Sequence, residues 1–226
     1  MAINTFTGKV VEKINLTDSV IKLSFEVPTF EFKSGQFVSI VIRKGEEKKL
    51  KSYSILNKPS QKNKLDLAIK LIDDGFASEV FKEVVVGTEF EIKGPMGHFV
   101  FEDDDNDKWF LGAGTGVAPL HSMITEHVSK SDKQFVLLFG VKTQKDLFLH
   151  SDFLKLASDH DNFEYKPVLS REEWDGLKGH VQDHLPGDSE NKTFYICGLK
   201  ELVLETKELL VKKGVALESI KSERYS

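Results

Sequence analysis

Three glycines between positions 110 and 120 are the residues whose spacing most directly indicates chemistry. Gly112, Gly114 and Gly116 lie between a short apolar segment and a segment typical of a helix, with Pro119 near its start. Glycines at such a turn let the backbone approach a pyrophosphate, and the first amides of the helix can bind it. A tight turn that needs positive φ would also use glycine. The strand before and the proline-started helix after favour a phosphate-binding loop.

Residues after the next two predicted strands indicate which nucleotide binds. The spacing G-x-G-x-G differs from the dinucleotide fingerprint G-x-G-x-x-G, whose second strand ends in an acid that holds the ribose diol. Here Lys142 stands near that strand end, and Ser170 and Arg171 follow the third strand. A lysine or an arginine can pair with a 2′-phosphate, and arginine does so bidentately. These residues favour NADP(H) over NAD(H), although both cations would also suit exposed loops.

Cys197 is the only cysteine, and it precedes Gly198 and Leu199 at the end of an apolar strand. A single cysteine excludes an internal disulfide and an iron–sulfur cluster ligated by cysteines of this chain alone. Most lone buried cysteines act as small hydrophobes. At this strand end, however, Cys197 would share a crevice with the glycine loop, which makes it a candidate nicotinamide contact.

The elements that position these residues alternate between strand and helix. Strands are predicted at 108–114, 134–141, 163–170 and 193–198, and helices at 118–130, 146–160, 179–185 and 199–214. The last helix is expected to end at Gly214 in the C′ position. Alternation of this kind predicts a parallel α/β sheet.

The first hundred residues have a different pattern. Six short strands are predicted at 5–17, 20–27, 36–44, 51–56, 64–72 and 88–95, with one helix at 74–84 in which Ser78 caps or occupies the first turn. Short strands separated by turn residues predict an antiparallel barrel. The acidic run from Glu102 to Asp107 separates the two patterns, so the predicted domains are residues 1–103 and 104–226.

Composition excludes several classes of function. The net charge of −5 argues against nucleic acid as the main partner. The chain has no apolar run of the length a membrane helix needs and no signal-peptide pattern at its start, so we expect a cytoplasmic protein without a membrane span. His180 and His184 have the spacing of a metal pair, but no further ligand is placed to complete a site, so we expect no metal.

Six segments, in order along almost the whole chain, resemble motifs of the ferredoxin–NADP⁺ reductase family. They are KSYSI at 51–55, DGFAS at 74–78, GPMGHF at 94–99, GAGTGVAP at 112–119, Cys197–Gly198, and SERYS at 222–226. The resemblance implies an FAD-dependent NAD(P)H oxidoreductase. Its N-terminal antiparallel Greek-key β-barrel would bind the flavin, and its C-terminal parallel α/β domain would bind the nucleotide.

The resemblance also implies roles for individual residues. Tyr53 would lie against the isoalloxazine and Ser54 would place its hydroxyl at flavin N5. Lys51 would contact the pyrophosphate at the position where the family usually has arginine. Lysine lacks the bidentate fork of arginine, so the resemblance predicts weaker or more salt-sensitive flavin binding. The remaining implied cofactor contacts are Ser52, the strand Ala68, Ile69 and Lys70, the helix start Gly75, Phe76, Ala77 and Ser78, and the loop Gly114, Thr115, Gly116 and Val117, with Gly198 and Leu199 beside Cys197.

The C-terminal residues carry two interpretations. By resemblance, Glu223 would lie near the nicotinamide and Tyr225 would cover a flavin face until the nicotinamide displaces it; alternatively, Tyr225 packs on the sheet. Together with Ser54 and Cys197, these two residues form the expected catalytic set.

The implied partner is a small electron-transfer protein, ferredoxin or flavodoxin. The alternatives are an NAD(P)H:flavin reductase that uses free flavin and an electron-transfer subunit of a larger complex.

Overall fold

The computed structural model describes residues 3–225, so Ser226, the last residue of the SERYS segment, lies outside the described residues. The chain forms two compact units. The first unit contains residues 3–101 together with His121–Glu126, and the second contains Glu102–Leu120 and the chain from His127 onward. Each unit has its own hydrophobic core.

The first unit is a curled antiparallel sheet of six strands in the order β4-β3-β6-β1-β2-β5. The strands are β1 (Asn4–Thr17), β2 (Val20–Glu26), β3 (Phe37–Lys44), β4 (Glu47–Ser54), β5 (Lys64–Lys70) and β6 (Glu89–Met96). Strand β6 returns to lie between β1 and β3, as in a Greek key. The two edge strands, β4 and β5, meet near the bridge between Ile55 and Leu67, where the Leu56 amide also donates to the Asp66 carbonyl, so the sheet is a partly open barrel.

One helix, α1 (Phe76–Glu83), packs on the core of this unit. Its Phe81 is fully buried and contacts Phe90 and Tyr53. The Lys13 ammonium lies at the other end of the helix, where it donates to the carbonyls of Lys82 and Val84 at 2.6 and 3.0 Å. A cation at a helix C-terminus satisfies carbonyls that have no partner within the helix.

The second unit is a six-stranded parallel sheet in the order β10-β9-β8-β7-β11-β12. The strands are β7 (Asp107–Ala113), β8 (Phe135–Val141), β9 (Phe163–Leu169), β10 (Leu177–Lys178), β11 (Lys192–Leu199) and β12 (Ile220–Tyr225). The helices are α2 (Val117–His127), α3 (His150–Asp159) and α4 (Lys200–Lys212). The predicted two-part architecture, antiparallel and then parallel, is confirmed.

Two helix predictions are wrong in detail, and the predicted end of the last helix is confirmed. The segment predicted as a helix at 179–185 forms only a 3₁₀ turn, Val181–His184. Helix α3 begins at His150 rather than at 146, because Leu149 adopts the left-handed conformation with φ of 58°. Helix α4 ends as predicted. Gly214 has a φ of 85°, and the Val215 amide donates back to the Leu210 carbonyl, as in a Schellman motif.

A fully buried lysine anchors the start of the second unit. The Lys108 ammonium donates to the Asp104 carboxylate at 2.5 Å and to the backbone carbonyls of Asp104 and Asn106. The other carboxylate oxygen of Asp104 accepts from the Thr193 hydroxyl at 2.8 Å. Burial alone would raise the pKa of Asp104, but its hydrogen bonds from Lys108, Thr193 and the Asn106 amide together hold the pKa below its ordinary value.

None of the helices within residues 3–225 combines the length and the apolar character that a bilayer crossing requires.

Candidate functional site

Strand β4 presents the residues of the flavin-like motif on alternating sides. Tyr53 lies opposite Val38 and packs edge-on against Phe81, with ring centroids 5.7 Å apart. Burial raises the pKa of the Tyr53 phenol, so the ring stays neutral. Ser52 points to the other side, where its hydroxyl is 2.9 Å from that of Ser39. Tyr53 therefore offers an aromatic surface, while the Ser52 side chain joins two strands.

Ser54 ends β4 and is 5% exposed. The chain after it is held by several hydrogen bonds. The Leu56 amide donates to the Asp66 carbonyl, and the Asn57 side chain accepts from the Asp66 amide and donates to the Lys64 carbonyl. These contacts fix the position at which Ser54 is presented.

Residues 121–126 of α2 fasten the same segment from another side. His121 Nδ1 is 2.9 Å from the Leu56 carbonyl, and the Ser122 hydroxyl donates to the Asn57 carbonyl at 2.7 Å. The Ser60 amide donates to the Glu126 carboxylate at 3.0 Å. The sequence carried no signal for these positioning residues, because they lie more than sixty positions from their partners.

Strand β5 leaves part of its backbone available for a ligand. It is an edge strand, and its amides alternate between the two sides. The Leu71 amide donates to Ser19 on the β2 side, and the Asp66 carbonyl accepts from Leu56 on the opposite side. By this alternation the backbone groups of Ala68 and Lys70 point to the same side as those of Asp66. The bridge between Ile55 and Leu67 pairs the Ala68 amide with the Ser54 carbonyl, so the Ala68 carbonyl and the Lys70 backbone groups lie on the open edge. These groups can hydrogen-bond the polar edge of a flat ring.

The side chains of the predicted segment 68–70 are not placed to do so. Ile69 is 1% exposed and belongs to the core, and Ala68 is also buried. The Lys70 ammonium donates to the Ser19 hydroxyl. The prediction that this strand contacts the flavin therefore concerns its backbone.

The start of α1 is a second polar feature of the first unit. Its N-cap is Gly75, which supplies no side-chain hydrogen bond to the helix. Ser78, predicted to cap or to occupy the first turn, is the third helical residue, and its hydroxyl accepts from the Ile72 amide at 2.8 Å. The amides of Phe76 and Ala77 thus have no side-chain cap, as an anion-binding helix terminus requires.

In the second unit, the glycine loop packs directly on the end of β11. A Cβ atom on Gly116 would lie 2.3 Å from the Cys197 carbonyl oxygen and 3.0 Å from the Gly198 Cα. Gly114 has a φ of 52°, and a Cβ there would meet nothing within 4 Å. Gly116 therefore permits close packing, whereas Gly114 leaves a backbone surface open to a ligand.

The sheet topology explains why these segments meet. From β7 the chain proceeds to β8 and β9 on one side, and then returns to β11 on the other side of β7. Ligands of open parallel sheets bind at the carboxyl ends of the strands where the order reverses. The loop Gly114–Val117 and the segment Cys197–Leu199 lie on the two sides of this reversal, which is where the sequence predicted a nucleotide.

The predicted phosphate cations are neighbours at the same edge. The Arg171 amide donates to the Lys142 carbonyl at 2.9 Å, and the Ser170 amide to Val141 at 3.0 Å. Both cationic side chains are exposed. A nearby carboxylate, Glu172, is occupied, since its two oxygens accept from the backbone amide and the side-chain amide of Gln144 at 2.7 and 2.8 Å.

The C-terminal strand brings the remaining candidates to this edge. Strand β12 pairs with β11, so Glu223 lies beside Cys197 and Tyr225 beside Leu199. The Tyr225 hydroxyl is 3.5 Å from the Thr115 carbonyl. Cys197 is fully buried, and burial, with a smaller effect of the Glu223 charge, raises the pKa of its thiol. Within its own unit, Tyr225 thus contacts the glycine loop.

His180 and His184, which have the spacing of a metal pair in the sequence, are both held by backbone hydrogen bonds. His184 Nε2 is 2.7 Å from the Lys178 carbonyl, and His180 precedes the 3₁₀ turn, with its amide bonded to Asp183. His98 is exposed. The described residues contain no group of three or more metal-ligating side chains arranged around a common point.

Comparison with known proteins agrees with this geometry. Residues 7–101 match the oxidoreductase FAD-binding domain, and residues 110–208 match the oxidoreductase NAD-binding domain. The chain is 30% identical over 238 residues to ferredoxin–NADP reductase B of Sorangium cellulosum, covering 97% of each protein. The chain belongs to the ferredoxin–NADP⁺ reductase family. It is accordingly an FAD-dependent NAD(P)H oxidoreductase.

Some of the other similar proteins are longer than this chain, and others have about the same length. The reductase component of a Pseudomonas phenol 2-monooxygenase is 29% identical over 211 residues, which cover 87% of this chain and 58% of that protein. A ferredoxin–NADP⁺ reductase from Neisseria gonorrhoeae with bound FAD and NADP has the same fold, with a TM-score of 0.88 at 22% identity over 97% of this chain and 98% of that one. An Amycolatopsis cytochrome P450 reductase gives a TM-score of 0.91 at 23% identity, covering 98% and 70%.

The residues present fit both cofactors of the family. The first unit has the Tyr53 ring, the open edge of β5 and an uncapped helix N-terminus, which suit a ring system carrying a diphosphate. The second unit has an open glycine surface at Gly114 and two cations at the same sheet edge, which suit a phosphorylated nucleotide.

Proposed function

We propose that this reductase takes a hydride from NADPH onto N5 of bound FAD and passes electrons to an external one-electron carrier such as a ferredoxin or flavodoxin. One observation carries the proposal. A single chain contains an edge strand with an aromatic neighbour and a glycine loop packed on the end of β11, and this combination supports a separate site for each cofactor.

The flavin, when bound, accepts the hydride and can release electrons singly. The protein's contribution is to bind and orient. Ser54 would hold its hydroxyl at N5, Tyr53 would support the ring, and the Ala68 carbonyl with the Lys70 backbone groups would hydrogen-bond the polar ring edge. The contacts at Leu56 and Asn57 keep Ser54 in place.

Ser54→Ala tests this assignment. We expect the variant to keep its flavin, because the ring and backbone contacts remain, and to show anaerobic reduction slowed by about ten- to a hundredfold, since one hydrogen bond to the reacting atom is lost. Stopped-flow bleaching of the bound flavin measures the rate. An unchanged rate would remove Ser54 from the catalytic set.

The preference for NADPH rests on Lys142 and Arg171. Their backbones are hydrogen-bonded, so both side chains extend from neighbouring positions at the sheet edge where a 2′-phosphate would lie. Glu172 is the nearby acid that could hold a ribose diol, but Gln144 occupies both of its oxygens. The site therefore suits a phosphate better than a diol.

The direct experiment compares the two reductants. Flavin in the holoprotein is reduced anaerobically with NADPH and with NADH, and Lys142→Ala and Arg171→Ala are measured beside it. We expect NADPH to be preferred in the wild type, and the preference to fall at least severalfold in each variant. Equal efficiency of the two reductants in the wild type would refute the preference.

Support for an external carrier comes from the chain itself and from relatives. With one cysteine it cannot ligate a cluster through its own cysteines. The relative matched over 97% of both chains is named a ferredoxin–NADP reductase. Reduction of added ferredoxin or flavodoxin by the NADPH-reduced enzyme tests this step; reduced flavin that transfers electrons to neither carrier would count against it.

Two other functions have specific support. Lys51 in place of the family's arginine favours a flavin reductase that releases its flavin, and flavin that stays bound through gel filtration would exclude it. Relatives named as a reductase component or electron transfer component favour a subunit of a larger complex. Rapid turnover of carriers by the isolated chain would exclude that function.

A further inference from the structure

Strand β4 carries two lysines on the side that holds Tyr53. Lys49 lies opposite Ile42, Lys51 opposite Ile40, and Tyr53 opposite Val38 in the β3–β4 pair. Paired residues of an antiparallel pair project to the same face, and all three partners on β3 are fully buried. Lys49 and Lys51 are therefore two steps apart on the inner side of β4.

Lys49 is held toward the start of α1. Its ammonium lies 4.2 Å from the centroid of the Phe76 ring, and Phe76 is the first residue of the helix. A cation over an aromatic face is attracted by the negative face of the ring. The Phe76 ring is itself packed on the core, so it gives the ammonium a fixed support.

The contact with Phe76 leaves the positive charge of Lys49 available to a ligand. Glu47 lies 3.3 Å away, but the two side chains are 49% and 66% exposed, and exposed ion pairs are weak. Within residues 3–225, the Lys51 ammonium has no hydrogen-bond or ion-pair partner, although its backbone is paired in the β3–β4 ladder. Two cations and the uncapped amides of α1 thus occupy one end of the first unit.

We propose that Lys49 is a second phosphate-binding residue of the flavin site and acts with Lys51 on the diphosphate of FAD at the start of α1. The proposal rests on FAD binding by this unit. One arginine would offer two donors in a fixed fork, whereas two lysines on the same strand face offer two separate point charges. Lys49 would thereby restore much of the affinity for the diphosphate that is lost when lysine replaces arginine at position 51.

Lys49→Gln tests the proposal, with Lys48→Gln as the matched control. Lys48 lies on the same strand and carries the same charge, but pairs with Arg43 on the other face. We expect Lys49→Gln to raise the Kd of the apoprotein for FAD by about three- to tenfold at low salt, as loss of one partly exposed charge-assisted contact would. Lys48→Gln should change it less than about twofold, and the difference should shrink at high salt.

Riboflavin provides the discriminating probe because it has the ring and no phosphate. Its Kd should be equal in wild type, Lys49→Gln and Lys48→Gln. Lys49→Arg should restore FAD binding, and Glu47→Gln should tighten it by removing the competing carboxylate. Intrinsic fluorescence quenching measures all of these, and thermal unfolding of the apoproteins shows whether each variant is folded.

Three results would overturn the role of Lys49. They are equal FAD affinity in Lys49→Gln and Lys48→Gln, an equal loss of riboflavin affinity in Lys49→Gln, and a failure of Lys49→Arg to bind better than Lys49→Gln. A wild-type chain that binds neither FAD nor riboflavin would instead refute the proposed function, so the two failures are distinct.

Discussion

Replacing Gly116 with alanine would press a methyl group against the backbone of β11. The added Cβ would lie 2.3 Å from the Cys197 carbonyl oxygen and 2.7 Å from its carbon, where ordinary contact begins at about 3.4 Å. The neighbouring groups are main chain and cannot rotate away. Strand β11 is also held by β7 on one side and β12 on the other. Relief therefore requires the glycine loop to move outward by about 1 Å.

The expected effect is on the nucleotide. Overpacking of this kind costs about 1–3 kcal/mol, and a 1 Å displacement of a positioned group can cost about a hundredfold in rate. We expect Gly116→Ala to raise the Kd for NADP⁺ by about ten- to a hundredfold and to slow flavin reduction by NADPH at least as much. The flavin-to-protein ratio should stay unchanged, because the flavin residues belong to the first unit.

Gly187→Ala is the control, since a Cβ at Gly187 meets nothing within 4 Å and the residue lies in the same unit. NADP⁺ titration followed by flavin difference absorbance gives the Kd, and stopped-flow gives the rate. If Gly116→Ala binds NADP⁺ within twofold of Gly187→Ala, close packing on β11 does not set the loop. A parallel loss of flavin would show general damage instead.

Three further outcomes follow from buried or capping groups. Asp104→Asn should lower the free energy of unfolding at neutral pH by about 1–3 kcal/mol, because buried Lys108 loses its counterion; the Asp104 side chain is 35% exposed, which reduces the effect. The pKa of Asp104 is lowered in the folded state, so this contribution to stability is fully present above the unfolded pKa of about 4. It is lost as the pH falls through the folded pKa. Urea unfolding curves of the variant and the wild type should therefore converge in acid. The Cys197 thiol should resist iodoacetamide at mildly alkaline pH in the folded protein and react after unfolding, since burial raises its pKa; fast labelling of folded protein would contradict this. Lys13→Met should destabilise the first unit by about 0.5–1 kcal/mol in urea unfolding, and an unchanged midpoint would show that water replaces the lysine at the end of α1.

The spacing of apolar residues predicted most of the fold, because most strands and helices bury one or both of their faces. Strand β8, buried along five successive residues, could be identified directly, as could β6, in which buried residues alternate with less buried ones over most of its length. Strand β12 could not, because only Ile220 of its six residues is buried and its stability comes from pairing with β11. The start of α3 depends on the backbone conformation of Leu149, which no pattern of residue types indicates.

The candidate site was predictable where it depends on strand ends. Carboxyl ends of parallel strands share one edge, so the positions of Gly114, Lys142, Arg171 and Cys197 followed from the order of elements. Contacts made across the fold were not predictable. The bond from His121 to Leu56 and the placement of Lys49 over Phe76 depend on tertiary packing, and neither belongs to a local motif.

The open edge of β5 has a consequence for the protein without its cofactor. Unpaired strand edges are templates for association with other chains, and natural proteins usually cover or charge them. In the flavin-loaded state we expect the ring to act as the missing neighbour of this strand. Removal of flavin should therefore speed deuterium uptake at the Lys70 amide more than at the Ala68 amide, which the bridge between Ile55 and Leu67 already occupies. It should also increase self-association, so the bound cofactor would protect its own domain from aggregation.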